Sequence, residues 1–334
     1  MQAVVVEQPG RVVVTQVPDP EPGPGQVVVQ VGACGICGTD IHIVDGEFAP
    51  TPYPIVPGHE FAGTVVAAGP GVTEPAVGTV VAVDPSLPCG ECHYCSVGRG
   101  NLCERWNATG VTRPGAAAEY VAVPAARCYP LPEGVPVSHG ALVEPLSCAV
   151  RGFDLLPRRQ GEHYLVYGAG TMGLLMAQLA RHAGAASVSV VDTNAPRLEV
   201  ARRLAADVVA TSADELDRPQ GWEVVIDCTG VVAAIEDGLT RVRRGGTFQQ
   251  FGVAAAEAQA TFSPFRVYND EITIVGSMAV LHSFGRAVEL MGRGVVDAEA
   301  MLSHTFPLAA YPEALDTFRA GTGRKLQVVP GRTG

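Results

Sequence analysis

The chain has 334 residues, 47% hydrophobic and 17% charged, which is too long for one ordinary compact core and too apolar for disorder, so two domains are expected. Its 23 basic and 34 acidic residues leave a net charge of −11, which argues against a nucleic-acid partner because a phosphate backbone needs a basic face. No apolar run approaches a membrane span, and the start Met1-Gln2-Ala3-Val4-Val5-Val6-Glu7 lacks the basic and apolar stretches of a signal peptide, so a cytoplasmic protein with reduced thiols is expected.

Valine-rich runs at 3–6, 12–17 and 27–31 are predicted strands, separated by clusters such as Pro18-Asp19-Pro20-Glu21-Pro22-Gly23-Pro24-Gly25. Runs at 61–68, 79–83 and 118–123 continue this β pattern. Near 140 the character changes, and 138–149 reads as a helix with Ser138 as its N-cap. From 163 the chain alternates. Strands are expected at 163–168, 187–192, 208–210, 223–227, 247–252 and 272–276, with helices at 172–183 and 195–205. Such alternation builds a parallel sheet covered on both faces by helices. The tail (helix 283–291, strand 301–306, helix 309–319, strand 325–329) does not extend the alternation. The expected division is therefore one domain of 1–147 with 279–334, interrupted by a dinucleotide-type domain of 148–278.

Gly168-Ala169-Gly170-Thr171-Met172-Gly173 is a G-x-G-x-x-G after an apolar strand and at the start of a helix. In that context the first glycine allows a tight turn, the second lets a pyrophosphate approach the backbone, and the third lets helix and strand pack closely. The second strand ends at Asp192, nineteen residues after Gly173. A carboxylate there accepts hydrogen bonds from the adenosine ribose and repels a 2′-phosphate, which favours NAD over NADP. Arg197, five residues on, is the counterweight: it can bind a 2′-phosphate, stack near an adenine, or simply face solvent. Thr229, Gly230, Val253, Ser277 and Met278 follow later strand ends and are candidate nicotinamide contacts.

Four of the nine cysteines, Cys89, Cys92, Cys95 and Cys103, follow C-x2-C-x2-C-x7-C. In a reducing compartment that spacing reads as a closed tetrahedral zinc site, with a four-cysteine iron–sulfur cluster as the rival. Either would staple a lobe spanning 88–104 and carry no reaction. A second set is chemically open: Cys37-Gly38-Thr39-Asp40-Ile41-His42, followed by Gly58-His59-Glu60. One thiolate, one imidazole and one carboxylate form a catalytic-zinc ligand set with room for substrate. Cys34 also makes a C-x-x-C with Cys37, but no redox βαβ unit surrounds it, so it reads as structural.

These motifs, in this order, resemble the zinc-dependent medium-chain alcohol and polyol dehydrogenases over essentially the whole chain. The resemblance implies a GroES-like β-rich catalytic domain with an inserted Rossmann domain, hence an α/β protein. It implies two zinc ions, one catalytic and one structural, an NAD cofactor, an alcohol or polyol substrate, and a homotetramer or homodimer. By the same resemblance Cys37 and His59 are catalytic-zinc ligands. Glu144, in Val143-Glu144-Pro145-Leu146-Ser147, stands at or near the third ligand position, as in the polyol and threonine branch. Glu60 is the alternative carboxylate, Asp40 the acid that orients the zinc-bound histidine, Thr39 the proton acceptor and His42 the proton exit. Sorbitol-type members carry Arg-Tyr after the last Rossmann strand, where this chain has Ala279-Val280, which argues against strict polyol recognition. Two rival readings are an NADP-linked aldehyde reductase with the same zinc chemistry and a non-catalytic zinc- and nucleotide-binding module.

Overall fold

A computed structural model describes residues 1–48, 50–157 and 159–331. The chain resolves into two compact units. The first holds Met1–Ser147, Val280–Gly294 and the chain from Met301 onward. The second holds Cys148–Ala279 and Val295–Ala300.

The first unit is built on a seven-stranded sheet whose central strand is Gln26–Ile36. Its order is Leu302–Pro307, Lys325–Val329, Gln26–Ile36, Glu60–Ala68, Val80–Val83 and Cys128–Pro130, and Tyr120–Pro124 also pairs with Gln26–Ile36. β-Branched and aromatic side chains along these strands fill the core with Val27, Val29, Val31, Phe61, Val65, Val81, Val83, Val121, Val123 and Val328. The two tail strands at Leu302–Pro307 and Lys325–Val329 pair parallel to each other, and the second runs antiparallel to Gln26–Ile36. That pairing sets Gly35 opposite both Glu60 and Gln327, two residues from Lys325. A separate hairpin joins Gln2–Gln8 to Arg11–Gln16.

The second unit carries six strands, all paired in parallel: Val208–Ala210, Ser187–Val191, His163–Tyr167, Trp222–Asp227, Val242–Gln250 and Thr273–Gly276. In chain order this is third, second, first, fourth, fifth, sixth. It is a doubly wound Rossmann sheet whose topological switch lies between His163–Tyr167 and Trp222–Asp227. The α/β class with a GroES-like β unit and a Rossmann unit is therefore as expected. No described helix is long and apolar enough to cross a membrane.

One local expectation is corrected. The predicted helix over 138–149 is two helices, Val137–Gly140 and Val143–Asp154. The first is capped by Pro136, so Ser138 lies inside it. Proline just ahead of a helix presets φ, and that signal outranks a serine two residues later. The helix Gly38–Asp45 was not foreseen at all. It is short, and it starts on two weak helix formers, Gly38 and Thr39.

Candidate active site

The helix Gly38–Asp45 exists because Cys37 and Asp40 cap it reciprocally. The Cys37 sulfur accepts from the Thr39 N–H at 3.3 Å, and the Cys37 N–H donates to Asp40 Oδ2 at 2.9 Å. A cysteine serving as N-cap has its sulfur fixed at the end of a strand. Facing it is His59, which follows Gly58. Gly58 has φ of +96°, and a Cβ there would come within 2.6 Å of Cys34 Sγ and 2.7 Å of the Ala117 nitrogen. Only glycine fits, and the turn aims His59 Nε2 to 3.1 Å from Cys37 Sγ.

Asp40 Oδ1 lies 3.7 Å from His59 Nδ1, too far for a hydrogen bond, and among the described residues neither atom has another partner. Both are buried. With Asp40 behind the far ring nitrogen, Nε2 points away from the acid and toward the sulfur. Cys37, Asp40 and His59 offer donor atoms that all lie within 4.8 Å of one another. A zinc shared by the sulfur and Nε2 would set them about 3.5 Å apart, close to what is found. Burial, then the Asp40 charge, push the Cys37 thiol up to about 12, and the nearby Glu144 carboxylate pushes the same way. A cation would relieve this crowding of buried thiol and acids.

The other expected participants are placed as follows. Glu144 is half-buried in the first turn of Val143–Asp154. The Thr39 side chain stands beside the Cys37 sulfur and favours its thiolate. His42 is exposed one turn along the same helix, and its Nδ1 meets Glu47 Oε2 at 2.7 Å. Glu60 is buried, and its carboxylate is turned to the ammonium of Lys325, which also donates to the Ile36 carbonyl at 3.1 Å. Sequence reading missed three of these groups. Lys325 is 265 residues from its partner. Tyr311 brings a buried hydroxyl that has no partner among the described residues, near enough to Asp40, Cys34 and Cys37 to feel their charges. Glu47 could have been found as an acid five residues after His42.

The four lobe cysteines converge. Cys89 Sγ and Cys95 Sγ are 4.0 Å apart, Cys92 Sγ and Cys103 Sγ 3.9 Å, and all four lie within 4.8 Å of one another. Disulfide sulfurs would be about 2.05 Å apart. Thiolates around one tetrahedral zinc at about 2.3 Å lie about 3.8 Å apart. Two of the four sulfurs are held toward the thiolate, while burial pushes the Cys95 thiol up to about 12. The N–H groups of Glu91 and Cys92 pull the Cys89 thiol down to about 6, and those of Cys95 and Glu104 pull Cys92 down. The Arg105 guanidinium donates to Cys89 Sγ at 3.5 Å.

In the second unit, Gly168 has φ of +96°, Gly170 starts the helix Thr171–His182, and a Cβ on Gly173 would overlap the Gly168 carbonyl. Gly168 and Gly173 are thus required where the dinucleotide fingerprint needs them, while the Cβ position of Gly170 is open except for Arg197 Nη1 at 3.9 Å, leaving space where a pyrophosphate would approach. Asp192 braces this loop, accepting from the Ala169 N–H at 2.6 Å and the Asn194 N–H at 2.7 Å. Thr171 and Met172 form the first turn of the helix. Thr229 and Gly230 follow the fourth strand. Val253 projects 85% exposed beyond the fifth, and the Ser277 N–H donates to the Gln250 carbonyl at 3.2 Å, with Met278 beside it.

A β-rich unit with a thiol–imidazole–acid cluster and a cysteine-knotted lobe, together with a glycine-loop Rossmann unit, defines a zinc-dependent dehydrogenase of the medium-chain type. Residues 23–133 match the alcohol dehydrogenase GroES-like domain, and residues 171–293 match the zinc-binding dehydrogenase domain. The chain is 36% identical to D-arabinitol dehydrogenase 1 of Uromyces fabae, with 99% of this chain and 97% of that one covered. It is 34% identical to an L-threonine 3-dehydrogenase of Saccharopolyspora erythraea, covering 96% of each. Among solved structures, a zinc-binding dehydrogenase from Sinorhizobium meliloti 1021 bound to NADP superposes with a TM-score of 0.95 at 35% identity, covering 98% of this chain and 99% of that one. The chain belongs to the zinc-dependent medium-chain dehydrogenase family, in its polyol and threonine dehydrogenase branch. It is an oxidoreductase that takes an alcohol carbon to a ketone.

Proposed function

We propose that this protein oxidises a secondary alcohol of a polyol or amino-alcohol with NAD, using a zinc ion held by Cys37, His59 and Glu144 and a second, structural zinc held by Cys89, Cys92, Cys95 and Cys103. The observation that carries this reading is the approach of Cys37 Sγ to His59 Nε2 at 3.1 Å, with Asp40 behind the ring. Bound zinc supplies a Lewis acid that acidifies the alcohol hydroxyl, and bound NAD supplies the hydride acceptor. Thr39 receives the hydroxyl proton. His42 stands three residues on, on the same helix face, and passes the proton to solvent, with Glu47 stabilising the charged ring. Asp40 fixes the orientation of His59. Glu60 is kept by Lys325 as a reserve carboxylate beside the ligand set.

Asp192 supports NAD, since a carboxylate anchored by two backbone N–H groups cannot turn away from a 2′-phosphate without loosening the glycine loop. The second reading is an NADP-linked aldehyde or ketone reductase. It is favoured by Arg197, whose guanidinium reaches to 3.9 Å of the Cβ position of Gly170, and by the NADP of the Sinorhizobium relative. A panel of polyols, vicinal diols and threonine with NAD and with NADP, followed by the absorbance of the reduced nicotinamide, tests both readings. Higher kcat/KM with NADP on every substrate defeats the first. Metal analysis tests the ligand sets: the two donor clusters call for two zinc ions per chain.

A homo-oligomer is part of this reading. Thr273–Gly276 is an edge strand, Ile274 on it is 44% exposed, and Phe265 and Tyr268 just before it are 71% and 83% exposed. A cytoplasmic setting suits its nine free thiols.

A further inference from the structure

Asp227 belongs to neither metal set nor to the glycine loop, yet three strand ends of the second unit are tied to it. It closes the strand Trp222–Asp227, with Tyr167 opposite on one side and Gln250 opposite on the other. The residue is fully buried. Its Oδ1 accepts from the Thr229 N–H at 3.0 Å and the Thr229 hydroxyl at 2.6 Å. Its Oδ2 accepts from the Gly230 N–H at 2.9 Å and Gln250 Nε2 at 2.8 Å. Four donors fill the four lone-pair positions of an ionised carboxylate, a pattern the protonated acid would break with its own O–H. The Asp227 carbonyl takes the N–H groups of Phe251 and Gly252 at 3.0 and 2.7 Å, and Gln250 Nε2 also reaches the Gly252 carbonyl at 2.7 Å.

The loops so gathered leave each other no room. A Cβ on Gly230 would overlap the Val253 carbonyl. One on Gly252 would come within 2.7 Å of both Asp227 Oδ2 and the Thr229 nitrogen, and one on Gly168 would press Thr229 Cγ2 at 3.1 Å. The loops after the fourth and fifth strands therefore interlock backbone against backbone around one charge, and the first glycine of the phosphate loop rests on them. In a doubly wound sheet the first two strands receive the adenosine half of a dinucleotide. The strands beyond the switch receive the other half at their carboxyl ends.

We infer that Asp227 is a positioning residue for the nicotinamide half of the cofactor, holding Thr229, Gly230 and Val253 in one fixed arrangement; this rests on the reading of the second unit as a dinucleotide site. Changing one oxygen of Asp227 to an amide points a donor at donors that already face it, so the loops must part where the nicotinamide sits, while the glycine loop and Asp192 keep the adenosine side.

The test compares two ligands on the full, zinc-loaded protein: NADH, and ADP-ribose, which is the same dinucleotide without nicotinamide. Asp227→Asn is expected to weaken NADH about tenfold, equivalent to about 1.4 kcal/mol, and to leave ADP-ribose within about twofold of wild type. Should Asp227→Asn fold poorly, Gln250→Met removes one of the four donors without burying a new polar group, and the same split at a smaller size is expected. Equal losses for the two ligands, or no loss for either in a folded variant, would overturn the inference. Wild-type protein that binds neither ligand would bring down the dinucleotide reading itself, and this inference with it.

Discussion

Lys325 and Glu60 form an ion pair inside the first unit, with side chains only 1% and 4% exposed. Room for it comes from Gly35, opposite Glu60 on the neighbouring strand, where any Cβ would overlap the Glu60 carboxylate and lie 2.7 Å from Lys325 Cε. Burial pulls the lysine toward its neutral form, while the buried acids and thiols around it favour the charged one. The pair connects the strand Lys325–Val329 to the strand that begins at Glu60, immediately after His59. Removing the ammonium strands a buried carboxylate one residue from a proposed zinc ligand.

Lys325→Met is therefore expected to cost about 3–5 kcal/mol, the usual penalty for breaking a buried pair. The double variant Lys325→Met, Glu60→Gln should recover much of that loss, since no buried charge is then left unpaired. Thermal or denaturant unfolding of the two single variants and the double gives the coupling. A Lys325→Met protein that unfolds with wild type would mean that the pair is not formed in solution.

The metal-free catalytic set should take up zinc with release of protons. The Cys37 thiol is pushed up to about 12 by burial and by Asp40, so it is protonated across the neutral range and must lose that proton to bind as a thiolate. The sign follows directly. Below about pH 12, each unit of rising pH should strengthen uptake at this site about tenfold through Cys37 alone. In the lobe, Cys89 sits at about 6, so its share of the proton release has largely ended by neutral pH. Calorimetry in buffers of different ionisation enthalpy measures the release. Identical proton counts for a Cys37→Ser variant and wild type would refute this.

Separate roles for the two clusters predict separable losses. Cys37→Ser or His59→Ala should abolish turnover, with a fall of about 10³-fold or more once the metal's contribution is gone, and leave NADH binding and one zinc per chain. Cys92→Ser should remove the other zinc and lower the melting temperature, because the lobe loses the ion that would join its four cysteines. Metal content by mass spectrometry, beside activity and melting, separates the outcomes. A Cys37→Ser enzyme with near-normal rate and zinc content would end the catalytic assignment.

Much of the fold and the site was legible because the relevant signals are local. The valine alternation, the G-x-G-x-x-G after an apolar strand and the cysteine spacing each lie within one stretch of chain, and backbone geometry turns such spacing into position. What stayed hidden is non-local or self-made. Lys325 looks like a solvated residue at the start of K-L-Q-V-V, and only the pairing of that strand with Gln26–Ile36 brings it to Glu60. Asp227 looks like an ordinary strand-end acid until the folded loops deliver four donors to it. The helix Gly38–Asp45 depends on a cysteine acting as cap, a role for which serine, threonine, aspartate and asparagine are the usual signals.

Cofactor preference should turn on Asp192, though not cleanly. Its Oδ2 accepts the Ala169 N–H and its Oδ1 the Asn194 N–H, so the carboxylate proposed to meet the adenosine ribose also ties the glycine loop to the second strand. Asp192→Ser removes the charge that repels a 2′-phosphate but keeps an acceptor for one of those N–H groups. Asp192→Ala removes both. The serine variant is expected to lose about 10-fold in kcat/KM with NAD and to gain with NADP, because the repelling charge is gone and the Arg197 guanidinium reaches to 3.9 Å of the Cβ position of Gly170, where it can meet the phosphate. The alanine variant should lose more with NAD, about 100-fold, and gain less with NADP, because the loop that carries both cofactors is loosened. Adding Arg197→Ala to the serine variant should erase the NADP gain while changing NAD little. Steady-state kinetics with both cofactors decide the matter, and an Asp192→Ser enzyme that kept its full preference for NAD would show that selectivity is set elsewhere.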